Sequence, residues 1–208
     1  MKVRKYTEVK LNPKDENLVF TILDLAGWYK GRSVDIEEVE RYYKKNNCNL
    51  NDTSKAFFRE FYGLPSKFCF ACKHLTKDEW SIGGNELDFD TSTFNELFYF
   101  EDDADRQEFE TEKSLVTKYE PEGFTPVAFC GYHLGGTLWV GNSGKIYRTY
   151  YFSPETIENY NSVIEMFECD FKGYKKADEL FVSFGGYAKE WGVGGDFYLK
   201  EYLKEYGE

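Results

Sequence analysis

Two cysteine-containing motifs have the spacing of a metal site. Cys69 and Cys72 are separated by two residues, and Cys130 and His133 repeat that spacing. Three thiolates and one imidazole suit a structural zinc ion, and a two-residue gap lets a single turn supply two ligands. However, Cys69 and Cys72 fall in an apparent strand without a Gly-rich knuckle, where residues three apart point to opposite faces. We therefore expect buried or half-buried thiols and no metal, with zinc as the alternative.

The signatures of common catalytic sites are missing from the sequence. The chain has only two histidines, His74 and His133, and neither accompanies a nucleophile elbow or the His-x-Glu of a zinc deaminase. The glycines of residues 192–195 lack the Lys and Ser/Thr of a phosphate-binding loop. Asp88 and Asp90 could pair as general acid and base, but a solvated strand edge accounts for them better. The sequence therefore predicts no catalytic residue, no cofactor and no enzymatic activity, with a small metalloenzyme that uses the Cys/His set as the alternative.

Acidic residues are concentrated in one segment of the chain. Residues 76–112 contain 13 acidic and two basic residues, a local charge of −11, which equals the formal net charge of the whole chain. Such a segment repels nucleic acid and membrane phosphates and attracts basic partners. The alternative is a solvated acidic helix and loop with no partner. We therefore expect neither nucleic acid nor a membrane as a partner.

Composition favours a compact protein of the cytoplasm. The chain has 208 residues, enough for one large domain, and 19% aromatic residues, ample for a hydrophobic core. No run approaches the roughly 18 apolar residues of a transmembrane helix, and no apolar stretch follows the cations at the start. Five cysteines are odd in number and too sparse for a disulfide scaffold. We expect one domain over residues 1–208, located in the cytoplasm, with no small-molecule substrate.

The period of the apolar residues is helical at both ends of the chain and strand-like between them. Asn12-Pro13 has the residue types of an N-cap and a first helical position, and predicts a helix that ends at Gly27. Further helices are expected at residues 35–43, 52–63, 103–119, 157–167 and 196–206. Strands are expected at residues 126–130, 137–140 and 145–151, the last two joined by a Gly/Asn/Ser hairpin connection.

The expected strands form a block and do not alternate with helices. That order predicts an α+β fold. We expect a mixed, mainly antiparallel sheet with helices packed on it, followed by a helical extension over about residues 152–208.

Three short motifs resemble those of a known family. Residues 26–35 (AGWYKGRSVD) resemble the signature near the N-terminus of the SUKH-3 family, within the SMI1/KNR4-like superfamily. Residues 124–126 and 136–147 are similar to the strand pair of that family, and residues 61–64 to its helix-ending element. The resemblance covers about residues 15–155. It implies an SMI1/KNR4-like sheet with helices packed on it.

The signature residues also have a structural interpretation. We expect Trp28 to seal the corner between the first two helices, and Arg32 to bind helix-terminal carbonyls or an acid. Gly27 and Gly31 permit a positive φ where the chain turns. Direct contact with a partner is the alternative. The signature residues given a structural role are Gly27, Trp28, Gly31, Arg32, Gly144 and Tyr147.

The resemblance implies an immunity protein that binds and neutralises a cognate toxin of a polymorphic or contact-dependent system, often a nuclease or deaminase. The alternative is a non-catalytic regulatory or scaffolding module of the same superfamily that binds an endogenous protein. A basic toxin would meet the acidic segment, with aromatic side chains as anchors. The expected contact residues are Glu86, Asp88, Asp90, Phe98, Tyr99, Glu101, Asp102, Asp103 and Asp105.

Overall fold

The structure, a computed structural model, describes residues 7–48, 50–64, 68–74, 79–83, 94, 96–130, 136–151, 153 and 155–184. At residues 7–8, 68–74, 79–83, 130, 181 and 183–184 it describes the backbone alone. The α-helices in these ranges are α1 (Leu18–Leu25), α2 (Glu37–Lys45), α3 (Asp52–Phe61), α4 (Asp103–Tyr119) and α5 (Val163–Asp170). No described helix combines the length with the apolar character that crossing a membrane requires.

The described strands form two four-stranded sheets. The strands are β1 (Thr7–Leu11), β2 (Phe68–His74), β3 (Glu79–Gly83), β4 (Phe124–Cys130), β5 (Gly136–Gly141), β6 (Ile146–Thr149), β7 (Ile157–Tyr160) and β8 (Glu179–Phe184). The first sheet has the strand order β1-β8-β2-β3 and the second β4-β5-β6-β7. Every pairing between described strands is antiparallel. The predicted α+β fold, with helices packed on a mainly antiparallel sheet, is confirmed.

The second sheet is covered on both faces. Leu138, Val140 and Ile146 belong to the main hydrophobic core, together with buried residues of α1, α2, α3 and α5. Trp139 and Tyr147 alternate with them and point to the opposite face, where they form a second cluster with residues of α4. All six residues of β5 are therefore buried, and α4 is attached to the fold through this second face.

The first helix begins later than the sequence predicts. The side chain of Asn12 accepts a hydrogen bond from the backbone N–H of Lys14, and that of Asp15 accepts one from Asn17. Such bonds to the backbone two residues ahead stabilise turns in competition with a helix. The prediction from Asn12-Pro13 is therefore wrong: α1 begins at Leu18, although it does end before Gly27, where φ is +93°.

The segment after residue 152 differs from the expected helical extension. Ile157–Tyr160 is strand β7, which pairs with β6, and the helix begins only at Val163 behind an N-cap at Ser162. Further on, β8 lies between β1 and β2 in the first sheet, and its Leu180 and Val182 are fully buried. The described part of this segment thus contributes one strand to each sheet. Residues 196–206 lie outside the described residues.

Arg148 of β6 stabilises the position of β7 beside it. Its guanidinium donates from Nε to Glu158 of β7 at 2.7 Å and binds Asp170 of α5 through two nitrogens at 3.1 and 2.8 Å. Burial acts to raise the pKa of Glu158, but the Tyr150 hydroxyl and the Arg148 guanidinium outweigh burial and hold this pKa below its ordinary value. A bidentate, charge-assisted contact of this kind has defined geometry, so Arg148 ties β6, β7 and α5 together.

The start of β5 passes very close to the end of β6. A Cβ atom added at Gly136 would lie 1.9 Å from the backbone oxygen of Thr149, a distance that no side-chain rearrangement can relieve. Gly173 is the opposite case, because its backbone is helical, with φ −62°, and a Cβ atom there would meet nothing within 4 Å.

Gly136→Ala is expected to destabilise the protein by about 1–3 kcal/mol or more, because β5 and β6 must separate to admit the methyl group. Gly173→Ala should leave the free energy of unfolding unchanged or raise it by up to about 1 kcal/mol, since alanine restricts the unfolded chain. Urea unfolding of the two variants measures both effects. Equal midpoints for the two variants would contradict the close approach of β5 and β6.

Candidate partner-binding site

The predicted contact residues gather around the start of α4. Five of them are exposed to solvent: Tyr99, Glu101, Asp102, Asp103 and Asp105. We call this set the acidic patch. Its aromatic member, Tyr99, is 70% exposed, so it is available to a partner. Glu86, Asp88 and Asp90 lie outside the described residues.

Phe98 does not share the exposure of Tyr99. Its ring packs 5.5 Å from that of Tyr43 and 6.2 Å from that of Phe109, measured between centroids. Phe98 thus connects the main core with the cluster below α4. It supports the acidic patch from beneath, whereas Tyr99 is the exposed ring of the pair.

Two acids of the patch also build the helix start. The Asp102 carboxylate accepts hydrogen bonds from the N–H groups of Ala104 and Asp105 at 2.7 and 3.0 Å. The Asp105 carboxylate in turn accepts from the N–H of Glu101 at 3.0 Å. The Asp102 bonds satisfy N–H groups in the first turn of α4, and the Asp105 bond fixes the backbone just before the helix. Glu101 and Asp103 are therefore the acids that can be changed without removing a cap.

Farther along α4, one carboxyl group is buried. Glu112 is 1% exposed and accepts a hydrogen bond at Oε2 from the Thr137 hydroxyl at 2.7 Å. Its Oε1 has no hydrogen-bond partner among the described residues. Burial raises the pKa of Glu112 to about 7, an effect that nearby Glu108 increases and the hydroxyls of Thr137 and Thr149 reduce.

A cleft of about 310 Å³ opens beside Glu112. It lies between α4 and the residues after β6, and we call it the Glu112 cleft. The residues that line it are Ala104, Gln107, Glu108, Thr111, Glu112, Tyr150 and Tyr151. Ala104 lies between acids of the patch in the sequence, so the cleft and the patch are continuous along α4.

The burial of Glu112 was not predicted, although the sequence contained a signal for it. Phe109, Glu112 and Val116 are spaced by three and four residues, which places them on one face of a helix. Phe109 and Val116 are buried against the second sheet, so the acid between them is buried as well. Tyr150 and Tyr151 had no such signal, because their position beside α4 depends on the packing of the sheet.

The N-terminal signature residues connect the segment between α1 and α2 to the end of α3. The Trp28 indole N–H donates to the Glu60 carboxylate at 3.0 Å. Arg32 donates to the backbone oxygens of Glu60 and Tyr62 at 2.6 and 2.7 Å, at the end of α3. Arg32 thus binds helix-terminal carbonyls, one of the two alternatives that its position left open. Gly27 and Gly31 have positive φ angles, of +93° and +83°.

The second part of the signature surrounds a buried acid. Glu120 is 4% exposed and accepts hydrogen bonds from the Ser143 hydroxyl at 2.6 Å and the Tyr147 hydroxyl at 2.8 Å. Burial acts to raise the pKa of Glu120, but these hydrogen bonds outweigh burial, so the pKa is lower than its ordinary value. Burial and the neighbouring Glu120 carboxylate raise the pKa of Tyr147 to about 12. Gly144, with φ +86°, closes the turn beside Ser143. Tyr147 and Gly144 therefore have structural positions, and Glu120 was not predicted.

The side chains of the proposed zinc set, Cys69, Cys72, Cys130 and His133, lie outside the described residues. Within the described part of the chain, no group of three or more His, Cys, Asp or Glu residues could hold a metal ion. Of the other cysteines, Cys48 is half-buried, and burial raises the pKa of its thiol, while Cys169 is exposed.

Arg32→Met is expected to lower the free energy of unfolding by about 1–3 kcal/mol, because two carbonyl groups at the end of α3 lose a charged donor. Arg41→Met, at an exposed position of α2, should change it by less than about 0.5 kcal/mol. Urea unfolding compares the two. An Arg32→Met variant as stable as the control would show that the contact with α3 contributes nothing to stability.

Glu112→Gln is expected to stabilise the protein at pH 8 and not at pH 5. The folded-state pKa of about 7 lies above the ordinary value of 4.5, so wild-type stability falls as pH rises through this interval. The wild-type free energy of unfolding falls by up to about 3 kcal/mol over this interval, at about 1.4 kcal/mol per pKa unit. Glutamine keeps the acceptor for Thr137 and carries no charge.

The matched control is Glu110→Gln, which removes one charge from an exposed position two residues away on the same helix. Urea unfolding at pH 5 and pH 8 should give the same pH dependence for this control and the wild type. A Glu112→Gln variant that also keeps the wild-type pH dependence would show that Glu112 ionises normally.

Comparison with known proteins found no relative: no protein-family model, no curated protein and no solved structure matches the chain.

Proposed function

We propose that this chain is a SUKH-type immunity protein. On this proposal it is a non-catalytic protein of the cytoplasm that binds a cognate toxin with a basic surface, a nuclease or a deaminase, and blocks its activity. The acidic patch is the single observation that carries the proposal. The short motifs shared with the SUKH-3 family support it from the sequence.

The charge of the patch suits a toxin that acts on nucleic acid. Such enzymes present basic surfaces to phosphate groups. The patch presents four carboxylates, at Glu101, Asp102, Asp103 and Asp105, around an exposed ring at Tyr99. Complementary charge accelerates association and selects among partners, and an aromatic anchor slows dissociation. A preformed surface of this kind would compete with nucleic acid for the toxin.

The attachment of the patch to the fold also favours tight binding. α4 carries its acids on the solvent side and is held to the second sheet by Phe109 and Val116, which are buried. The backbone at the helix start is fixed by the caps from Asp102 and Asp105. A surface that is already ordered loses less conformational entropy on binding than a loop does.

Co-expression with the toxin encoded immediately upstream tests the function. We expect rescue of growth and a stable complex that co-purifies. Failure of both rescue and complex formation would overturn the immunity proposal and favour a scaffolding role with an endogenous partner.

A triple variant, Tyr99→Ala, Glu101→Gln and Asp103→Asn, tests the surface and leaves both caps intact. Association with the toxin should slow roughly tenfold at low salt and depend less on salt, because two steering charges are gone. The matched control removes one exposed ring and two exposed acids elsewhere: Tyr29→Ala, Asp24→Asn and Glu168→Gln. Stopped-flow kinetics over a range of salt concentrations measures the rates. Equal rates for the two triple variants would place the contact surface elsewhere.

A further inference from the structure

We propose that the Glu112 cleft receives one cationic side chain of the protein partner, an arginine or a lysine, whose charged group pairs with the Glu112 carboxylate. This inference deepens the proposed function and rests on it for the identity of the partner.

The hydrogen bonding of Glu112 is incomplete among the described residues. Thr137 occupies Oε2, and Oε1 is buried without a hydrogen-bond partner among the described residues. Buried polar atoms are almost always paired in folded proteins. Because the group that lacks a partner is a carboxylate oxygen, the missing partner is a donor, and a cationic donor would also compensate the negative charge.

The charge around the cleft is negative. The described residues that line it include two acids, Glu108 and Glu112, and no lysine or arginine. The titratable groups that line the cleft with Glu112 are Glu108 on α4 itself and Tyr150 and Tyr151 after β6. The hydroxyls of Thr137 on β5 and Thr149 on β6 also act on the Glu112 carboxyl. Two carboxylates without a compensating cation attract one from outside the chain.

The size and the lining of the cleft suit one long side chain. Its volume of about 310 Å³ is at the lower end of the range for small-ligand sites, about 300–1,000 Å³. Tyr150 and Tyr151 supply rings that can contact an aliphatic stem or a planar guanidinium. The ring of Tyr150 already has such a contact within the chain, because the Arg148 guanidinium carbon lies 5.9 Å from its centroid. A single long side chain therefore suits the space.

The occupant is an organic cation and not a divalent metal ion. Calcium and magnesium take six or more oxygen ligands, mostly carboxylates, carbonyls and water. The described residues bring no third acid, histidine or cysteine to Glu108 and Glu112. An alkylguanidinium or alkylammonium group needs only one or two carboxylates and a nonpolar wall, and the cleft provides both.

The position of the cleft connects it with the proposed function. Ala104 lines the cleft and lies between Asp103 and Asp105 of the acidic patch. A basic partner that covers the patch would therefore also reach the cleft. The patch would attract the partner at long range, and the cleft would hold one of its side chains.

Blocked arginine, N-acetyl-arginine-N-methylamide, is the probe for the cleft, and its uncharged citrulline analogue is the control. NMR titration at pH 8 should give affinity for the arginine compound roughly tenfold or more above that for citrulline, with shifts at Tyr150, Tyr151 and Glu112. Bound cation stabilises the ionised carboxylate, so the Glu112 resonance should titrate at lower pH in the presence of the probe. Equal binding of citrulline, or no shift at Glu112, overturns the proposal.

Three variants assign the effect to the buried carboxyl. Glu112→Gln should abolish the preference for arginine over citrulline, Glu108→Gln should weaken it, and the exposed Glu110→Gln should leave it unchanged. If Glu112→Gln does not fold, Glu108→Gln and the Glu112 resonance of the wild type still decide the question. A preference that survives Glu112→Gln, or one equally reduced by Glu110→Gln, overturns the assignment.

One further comparison distinguishes a protein side chain from a free amino acid as the source of the cation. A second distinguishes failure of the cleft proposal from failure of the immunity proposal. Blocked arginine should bind at least as well as free L-arginine, and a preference for the free amino acid would overturn a protein side chain as the occupant. Loss of toxin binding in Glu112→Gln supports both proposals. Specific probe binding without any toxin complex retains the cleft and overturns immunity, whereas a toxin complex insensitive to Glu112→Gln overturns the cleft alone.

Discussion

The burial of the second sheet on both faces is the constraint on which the rest of the structure depends. Trp139 is completely buried beneath α4, with its ring centroid 5.2 Å from that of Phe109. Its indole N–H must therefore find an acceptor inside the protein, and the Thr149 hydroxyl provides it at 2.9 Å. That hydroxyl in turn donates to the backbone oxygen of Thr137 at 3.1 Å. A large apolar contact and a chain of internal hydrogen bonds thus fix α4 on β5 and β6.

The position of α4 determines what the candidate site can be. With Phe109 and Val116 directed into the sheet, the helix must also turn Glu112 inward, while Asp103 remains in solvent. Thr137, one residue after the glycine that passes close to β6, then lies within hydrogen-bonding distance of Glu112. The exposed acids and the buried acid are therefore two consequences of one packing arrangement.

The sequence predicted those elements whose signals are local. α4 has the predicted bounds, and the hairpin between β5 and β6 follows from its Asn, Ser and Gly residues. The strand at residues 157–160 could not be predicted locally, because it depends on pairing with β6 and on Arg148. In the sequence, the acidic patch is recognisable from its concentration of charge. Glu112 is recognisable as an acid on the apolar face of a helix. Its hydrogen-bond partner, Thr137, lies 25 residues away and could not be identified without the fold.

A buried carboxyl group that has only one of its oxygens paired makes the protein less stable at neutral pH than a neutral side chain would. Folding alone does not account for it, since Phe109, Val116 and Trp139 already attach α4 to the sheet. Glu120 shows that this chain can bury an acid with full compensation, because Ser143 and Tyr147 donate three hydrogen bonds to it. The difference between the two acids is hydrogen bonding: both oxygens of Glu120 accept from donors, whereas Glu112 has one oxygen without a donor among the described residues and lines a cleft. An incomplete hydrogen-bond shell beside an opening is the arrangement expected where the missing donor comes from another molecule.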